Sequence, residues 1–405
     1  MPTVASPTVL VTHIITRLII GGAQENTLAT VLELNRRAGW AAHLISGPTR
    51  GEEGSLEAQA AQIPGLLTVL PSLTRPLHPW LDWLAYRQLL RCLRHSCPPI
   101  VHTHSGKAGF LGRLAAHRAR VPVIIHTIHG PSFGPFQGWA ANRLYCAAER
   151  RAGRVTTHFV SVAEAMTRRY LQAGIGQPRQ YSLIHSGFDL APFLEVRNHP
   201  ADRIRWGLAP NDFVIGMIAR FFKLKGHADL LAAAPEIFRR CPSAKFLLVG
   251  DGPGRRSVER EVREMGMADR FILTGLVPPS AIPSLVGIMD VLVHLSRREG
   301  LPRALPQALA GGKPVVALDA DGAREVCLPG HTGILLRDLQ GLPDAVEHLF
   351  RRPEERLRLG AHGRQLAASR FALSVMLEKL VELYERLLAN ADRAKVAASK
   401  AGRPV

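Results

Sequence analysis

Arg220 and Lys225 are two cations five positions apart, and Gly226-His227 follows directly. The apolar run Phe213–Ile218 just before them reads as a strand, and a helix is expected from about Gly226. Two cations at a strand's carboxyl end, beside helix-start amides, suit a diphosphate whose charge develops on the leaving oxygen. A solvated basic loop is the alternative, because Lys223 lies between them. A second segment, Ser296-Arg297-Arg298-Glu299-Gly300-Leu301-Pro302, follows another apolar run. Glu299 can accept hydrogen bonds from sugar hydroxyls, Gly300 permits close backbone approach, and Pro302 suits the first turn of a helix reaching Ala310. A carboxylate that merely stabilises a helix start is the alternative, worth roughly 0.3–1 kcal/mol. Near the N-terminus, Gly21-Gly22 follows the first apolar run, where backbone amides and a helix start favour negative charge.

Three other patterns suggest chemistry less strongly. Gly250-Asp251-Gly252-Pro253-Gly254 lacks the third glycine of a dinucleotide fingerprint, so a strand-to-helix turn is expected. Asp319-Ala320-Asp321 has the letters of a metal-binding D-x-D pair but is expected to be an ordinary strand-end loop. His102 and His104 are spaced as two ligands could be, yet the sequence offers no third at convincing spacing, so no metal is expected.

These segments need a scaffold. Apolar runs at Val9–Ile15, Ala42–Ile45, Leu66–Leu70, Ile100–His102, Val121–His126 and Thr157–Val160 alternate with helical periods such as Ala23–Ala38 and Trp80–His95. That spacing implies right-handed crossovers and a parallel sheet. Residues 188–211 lose the period and read as a linker, after which the alternation restarts at Phe213–Ile218. It continues through Lys245–Val249, Phe271–Thr274, Val291–Leu295, Val315–Leu318 and Gly333–Leu336. Two doubly wound domains are the simplest account, with ligands beyond the carboxyl ends of their strands and a cleft between them. Two helices are expected from Pro353 to about Ala391, the last with Met376, Leu380, Leu383 and Leu387 in an apolar stripe.

The ordered set of motifs resembles the retaining family-4 glycosyltransferases. Glu299-Gly300-Leu301-Pro302 through Gln307-Ala308, then Gly312-Lys313-Pro314, is similar to that family's Glu-x7-Glu segment. Arg220 with Lys225-Gly226 resembles its diphosphate site, Val249-Gly250-Asp251-Gly252-Pro253 its glycine turn, and Ile184-His185-Ser186-Gly187-Phe188-Asp189 its crossover. The resemblance implies a GT-B fold of α/β class, with two Rossmann-like doubly wound parallel-sheet domains facing across a cleft. An acceptor-binding domain would span residues 1–190 and a nucleotide-sugar domain 191–375, with a helix crossing back over 376–392 and a disordered tail at 393–405. It implies metal-independent transfer, with retention, from a nucleotide diphosphate sugar, and no cofactor. Glu299, His129, Arg220 and Lys225 would be catalytic. Gly21, Gly22, Arg220, Lys225, Gly250, Asp251, Gly300, Leu301 and Gln307 would hold the donor. His129 is placed beside the transferred sugar, while His126 is expected inside its strand. Ser105 and Lys107 are candidates for touching the acceptor. One departure stands out: Gln307 occupies the place of the second carboxylate, which leaves hydrogen bonding to a ribose intact but the choice of base open.

Composition limits the remaining possibilities. The 405 residues are 46% hydrophobic, enough for two cores. Five cysteines without a C-x-x-C pair fit a reducing cytoplasm, and no secretory signal or run of 18 apolar residues is visible. The net charge is +18, of which residues 1–190 carry +10 from 19 Lys and Arg against 9 Asp and Glu. Arg87, Arg91 and Arg94 recur at helical spacing behind Trp80 and Trp83; Phe133, Phe136 and Trp139 precede Arg143, Arg150 and Arg151. An anionic membrane surface on the cytoplasmic face is therefore a candidate partner, and the family resemblance implies a glycan or lipid-linked acceptor. Nucleic acid is not expected, since charge without a recognisable motif is its only support. The alternatives are a nucleotide-sugar epimerase of the same build, or a non-catalytic scaffold.

Overall fold

The computed structural model describes residues 8–50, 54–104, 106–134 and 136–400. They form two compact units, Met1–Gly187 with Leu373–Val405, and Phe188–Ala372.

The first unit is built on a seven-stranded, all-parallel sheet. Its strands are β1 (Val9–Ile15), β2 (Trp40–Ser46), β3 (Leu67–Val69), β4 (Ile100–His104), β5 (Val123–Ile128), β6 (His158–Ser161) and β7 (Tyr181–Leu183). They lie in the order β3-β2-β1-β4-β5-β6-β7. The strand order therefore reverses between β1 and β4, the position where open sheets of this kind leave a crevice. β4 and β5 are buried along their whole length, so neither alternates; His102, Thr103 and His104 nonetheless cut the apolar run of β4 short in the sequence. β7 is only three residues long and partly exposed, too short to show a period, and the sequence reading missed it.

The second unit repeats the plan with six strands: β8 (Phe213–Ile218), β9 (Ala244–Val249), β10 (Phe271–Gly275), β11 (Val291–His294), β12 (Val315–Leu318) and β13 (Gly333–Leu336). All are parallel, in the order β10-β9-β8-β11-β12-β13, so its reversal falls between β8 and β11.

Helix boundaries follow local chemistry. The helix Pro79–Ser96 starts with the His78 ring accepting from the Leu81 amide, has Pro79 in its first turn, and ends on Cys97 in a left-handed conformation. The last helix, Leu373–Lys400, buries Met376, Leu380, Leu383 and Leu387 in the core of the first unit beside Leu28, Val31 and Leu44. It continues through residues expected to be disordered, because that stretch is rich in strong helix formers: Arg393, Ala394, Lys395 and Ala397. Residues 401–405 of the expected tail lie outside the described ones.

The segment 188–211, expected to be a linker, is instead folded into the second unit. It carries the short helices Ala191–Leu194 and Pro200–Arg205 and buries Leu190, Phe193 and Leu208. The buried Arg203 guanidinium donates to the carbonyls of Ala209 at 3.0 Å and Asp212 at 2.6 Å. Satisfying loop carbonyls with one cation leaves no periodic sequence signal, so the packing was not visible in the pattern.

Candidate active site

β8 and β11 are neighbours, and their carboxyl ends deliver the two motifs singled out above. Between β8 and the helix His227–Arg240, the chain makes a tight path with Leu224 at φ 72° and Gly226 at φ 91°. A side chain on Gly226 would meet the Leu295 carbonyl oxygen at 2.7 Å and its Cβ at 2.4 Å, so this loop is pressed directly onto the end of β11. The Arg297 amide donates to the Leu224 carbonyl at 2.8 Å, and the Arg297 guanidinium pairs with Asp229 at 2.7 Å. Two loops distant in sequence are thereby stitched together. Lys225 and Glu299 meet there as a partly buried, hydrogen-bonded ion pair.

The electrostatics of Glu299 combine opposing effects. Burial pushes its carboxyl upward, but the neighbouring Lys225 charge, His294 and hydrogen bonds from Lys225 and Ser296 outweigh it and hold the carboxyl below its ordinary value. The group therefore stays ionised. His294, the last residue of β11, is buried, with Nε2 3.8 Å from Oε1 of Glu299 and, among the described residues, without a hydrogen-bond partner for that nitrogen. Burial, chiefly, lowers His294 to about 4, so the ring is neutral near pH 7. The Glu299 amide donates to Oδ2 of Asp321 at 2.9 Å, and the Gly322 amide to the Gly300 carbonyl at 3.1 Å. Asp321 was set aside as part of an ordinary loop. The pairing of β11 with β12 brings that loop against Glu299, and Asp321 fixes its backbone. Asp319 pairs instead with Arg324.

The other residues of the second unit are placed as follows. Arg220 follows β8, its guanidinium 4.6 Å from the centre of the Phe222 ring. Gly250 (φ 140°) lies against the Ala219 carbonyl, where an added Cβ would come within 2.2 Å, so the glycine turn after β9 supports the Arg220 loop by close approach. Asp251 accepts from the Gly252 amide at 2.7 Å and pairs with Arg255 at 3.2 Å. Gly300 and Leu301 are buried, and Gln307 is buried within a seven-residue helix, Ala304–Ala310. That helix starts two residues after Pro302, with Arg303 at its cap, and is shorter at its start than the sequence implied.

In the first unit, Gly21 is extended and caps the helix Gly22–Arg36. Among the described residues nothing lies within 4 Å of where a side chain on Gly22 would project, so their packing does not demand that glycine. Lys107 is engaged: its ammonium bonds the Pro76 carbonyl and pairs with Asp82. Ser105 lies outside the described residues. His126 is buried in β5, with Nδ1 2.9 Å from the Thr103 hydroxyl. His129 follows β5, and its Nε2 lies 2.9 Å from Nδ1 of His104. His13 on β1 joins His102 and His104, with ring nitrogens of all three within 4.8 Å of one another. This is the third imidazole that sequence spacing did not supply, because it arrives across the β1–β4 register in which His13 faces His102.

Two family models match the chain. Residues 20–192 match "Glycosyltransferase Family 4", and residues 198–366 match "Glycosyl transferases group 1". Among curated proteins, the chain is similar to the UDP-Gal:alpha-D-GlcNAc-diphosphoundecaprenol alpha-1,3-galactosyltransferase of Escherichia coli, 26% identical over 79% of this chain and 84% of that protein. It is also similar to a GDP-mannose-dependent alpha-(1-6)-phosphatidylinositol monomannoside mannosyltransferase of Mycolicibacterium smegmatis, 28% identical over 67% of this chain and 72% of that protein. Among solved structures, HepE of Anabaena in complex with UDP superposes with a TM-score of 0.77 at 21% identity, covering 94% of this chain and all (100%) of that one. At that identity the likeness speaks for the fold.

Proposed function

Because the chain is a family-4-type glycosyltransferase of GT-B fold, using a nucleotide-sugar donor, we propose that it transfers the sugar with retention, without a metal, to a lipid-linked or glycan acceptor. The observation that carries this reading is the Lys225–Glu299 pair at the carboxyl ends of β8 and β11. An ionised carboxylate and an ammonium side by side offer two kinds of contact. Lys225, with Arg220, neutralises the diphosphate as its bond to the anomeric carbon breaks. Glu299 accepts hydrogen bonds from hydroxyls of the same sugar. The acceptor hydroxyl forms the new bond to the anomeric carbon on the face the diphosphate leaves, and its proton passes to the departing phosphate oxygen. No protein nucleophile is required. Gly250, Asp251, Gly300 and Leu301 shape the donor site, and the Gln307 amide takes the place of a ribose-binding carboxylate. From the first unit, Gly21 and Gly22 offer helix-start amides and His129 an imidazole to the substrates. The curated relatives are named as transferases, which does not favour the epimerase alternative.

A panel of nucleotide sugars screened by thermal shift identifies the donor, and lipid-linked acceptors then complete the assay. Proton NMR of the product reads the anomeric configuration, and a chelator arm reads metal dependence. An inverted product, or activity abolished by chelator and restored by a divalent ion, overturns the mechanism.

We further propose that the first unit lies on anionic membrane. Trp80 and Trp83 stack at 4.9 Å and stay 64% and 47% exposed, and Trp139 is 75% exposed. Arg87 lies over Trp83 and Arg143 over Trp139. The helices Pro79–Ser96 and Trp139–Gly153 both pack beside the helix Gly106–Arg118. Phe133, grouped with these aromatics in the sequence, is instead buried against Tyr170. Among the described residues no helix is long and apolar enough to cross a membrane. Amphipathic aromatics backed by arginines suit the interface, at about 1 kcal/mol per cation near the surface. Co-sedimentation with anionic but not neutral vesicles, lost in a Trp80→Ser/Trp83→Ser variant, is expected; equal pelleting with both vesicle types removes the idea.

A further inference from the structure

Four imidazoles crowd together in the first unit: His13 on β1, His102 and His104 on β4, and His129 after β5. Only His129 enters the reading above. Nδ1 of His13 lies 2.9 Å from Nε2 of His104, and Nδ1 of His104 lies 2.9 Å from Nε2 of His129. His102 stands outside this series, with Nδ1 2.6 Å from the Tyr384 hydroxyl and Nε2 2.6 Å from that of Thr127. At the far end, Nε2 of His13 is buried and, among the described residues, has no partner.

The geometry favours hydrogen bonds over a metal. Two imidazole nitrogens each about 2.0 Å from a tetrahedral zinc stand roughly 3.3 Å apart, and both nitrogens of His102 are already engaged. Burial also disfavours charge at every ring, with His13 lowered to about 3 and His129 to about 4. Each ring is therefore neutral, with one N–H and one lone pair.

Two bonds in series through neutral imidazoles must run in the same direction. If His129 donated to His104 and His104 to His13, the remaining proton of His13 would sit on Nε2. That N–H would be buried without an acceptor, the costlier of the two defects. In the opposite direction Nδ1–H of His13 donates, and only a lone pair is left unpartnered, the less rare of the two defects. We propose that His104, hydrogen-bonded in turn to His13, is a positioning residue that holds His129 as its Nδ1–H tautomer, with Nε2 committed to His104. His129 then presents substrate with an N–H donor and not a base, so it hydrogen-bonds a sugar or acceptor oxygen and takes no proton. The catalytic consequence rests on the proposed function; the tautomer does not.

The test uses the full chain labelled with nitrogen-15 histidine and two-bond proton–nitrogen correlation spectra. The expected result is His129 protonated at Nδ1 and bare at Nε2 in the wild type. In His13→Phe the His104 ring still donates through Nδ1, since reversal would strand its own Nε2–H against the Phe, and His129 stays Nδ1–H. In His104→Phe, which removes that donor, the Nε2–H form, favoured by an unconstrained side chain, becomes the major one. In His104→Gln the Nδ1–H form is retained, because an amide can accept from His13 and donate to His129. Wild-type His129 carrying its proton on Nε2 overturns the proposal and needs no variant to fold. Addition of Zn2+ alone is the last arm: unchanged His13 and His104 signals support the relay, and stoichiometric shifts there overturn it in favour of a metal site. Because no arm requires turnover, a failed glycosyl-transfer assay alongside the expected spectra counts against the function and leaves the tautomer standing.

Discussion

The Lys225 ammonium bonds a carboxylate oxygen of Glu299, its partner 74 positions later in the chain, where the ends of β8 and β11 come together. Each charge sets the state of the other. Lys225→Ala and Glu299→Ala are each expected to lower turnover by roughly tenfold or more, the loss typical when a charge-stabilising group is removed. In Lys225→Met the Glu299 carboxyl loses what holds it down, and burial drives it up. The acid limb of the pH–rate profile should then move to higher pH; an unmoved limb would separate Glu299 from the chemistry.

Gly226 and Gly22 make a contrasting pair. Gly226 sits at φ 91° against Leu295 backbone, so Gly226→Ala forces the β8 loop off β11. A loss of about 1–3 kcal/mol is expected, together with disruption of the Lys225–Glu299 pair. Gly22→Ala meets nothing among the described residues and should leave stability unchanged. Urea denaturation of both variants, compared with wild type, reads the difference.

Arg113 and Glu149 form a buried ion pair at 2.7 Å in the first unit, and Arg113 also donates to the Gly109 carbonyl at 2.7 Å. Removing one partner strands the other charge, so Glu149→Ala should destabilise by about 3–5 kcal/mol. Restoring much of that loss with Arg113→Met in the same chain would show that the stranded cation, and not lost packing, is responsible.

Acid should act unevenly on the two units. Burial lowers His13, His102, His104, His126 and His129, all in the first unit, whereas the second has His227 and His294. For each ring the unfolded chain binds its proton near 6.5 and the folded one at a lower pH. Stability is thus complete above about pH 6.5 and is lost as pH falls toward the folded values, the unfolded state holding more protons in that window. Four of the five tryptophans, Trp40, Trp80, Trp83 and Trp139, report on the first unit, and Trp206 on the second. The fluorescence transition should shift to lower urea between about pH 6.5 and about 4; a midpoint constant over that range would contradict the neutral cluster.

Much of the fold was legible because parallel strands buried on both faces leave unbroken apolar runs. Phe213–Ile218 and Val315–Leu318 match strand for strand; Val9–Ile15 and Gly333–Leu336 match as well, although Thr12 and His13 interrupt the first and Ile334 and Leu335 of the second are only half-buried. The stripe of Met376, Leu380, Leu383 and Leu387 marked the last helix because one face of it is buried. What failed was packing carried by single polar groups, as in 188–211, where one buried Arg203 replaces a periodic pattern.

Sequence alone determined which residue types stand at the strand ends: cations at 220 and 225, a carboxylate at 299, an amide at 307. Those follow from residue identity and short-range spacing. Only tertiary structure decided that Lys225 closes on Glu299, that Asp321 holds the Glu299 backbone, and that His13 completes a line of imidazoles ending at His129. These contacts cross between neighbouring parallel strands, whose order in the sheet depends on crossover packing far along the chain and is not written in local spacing.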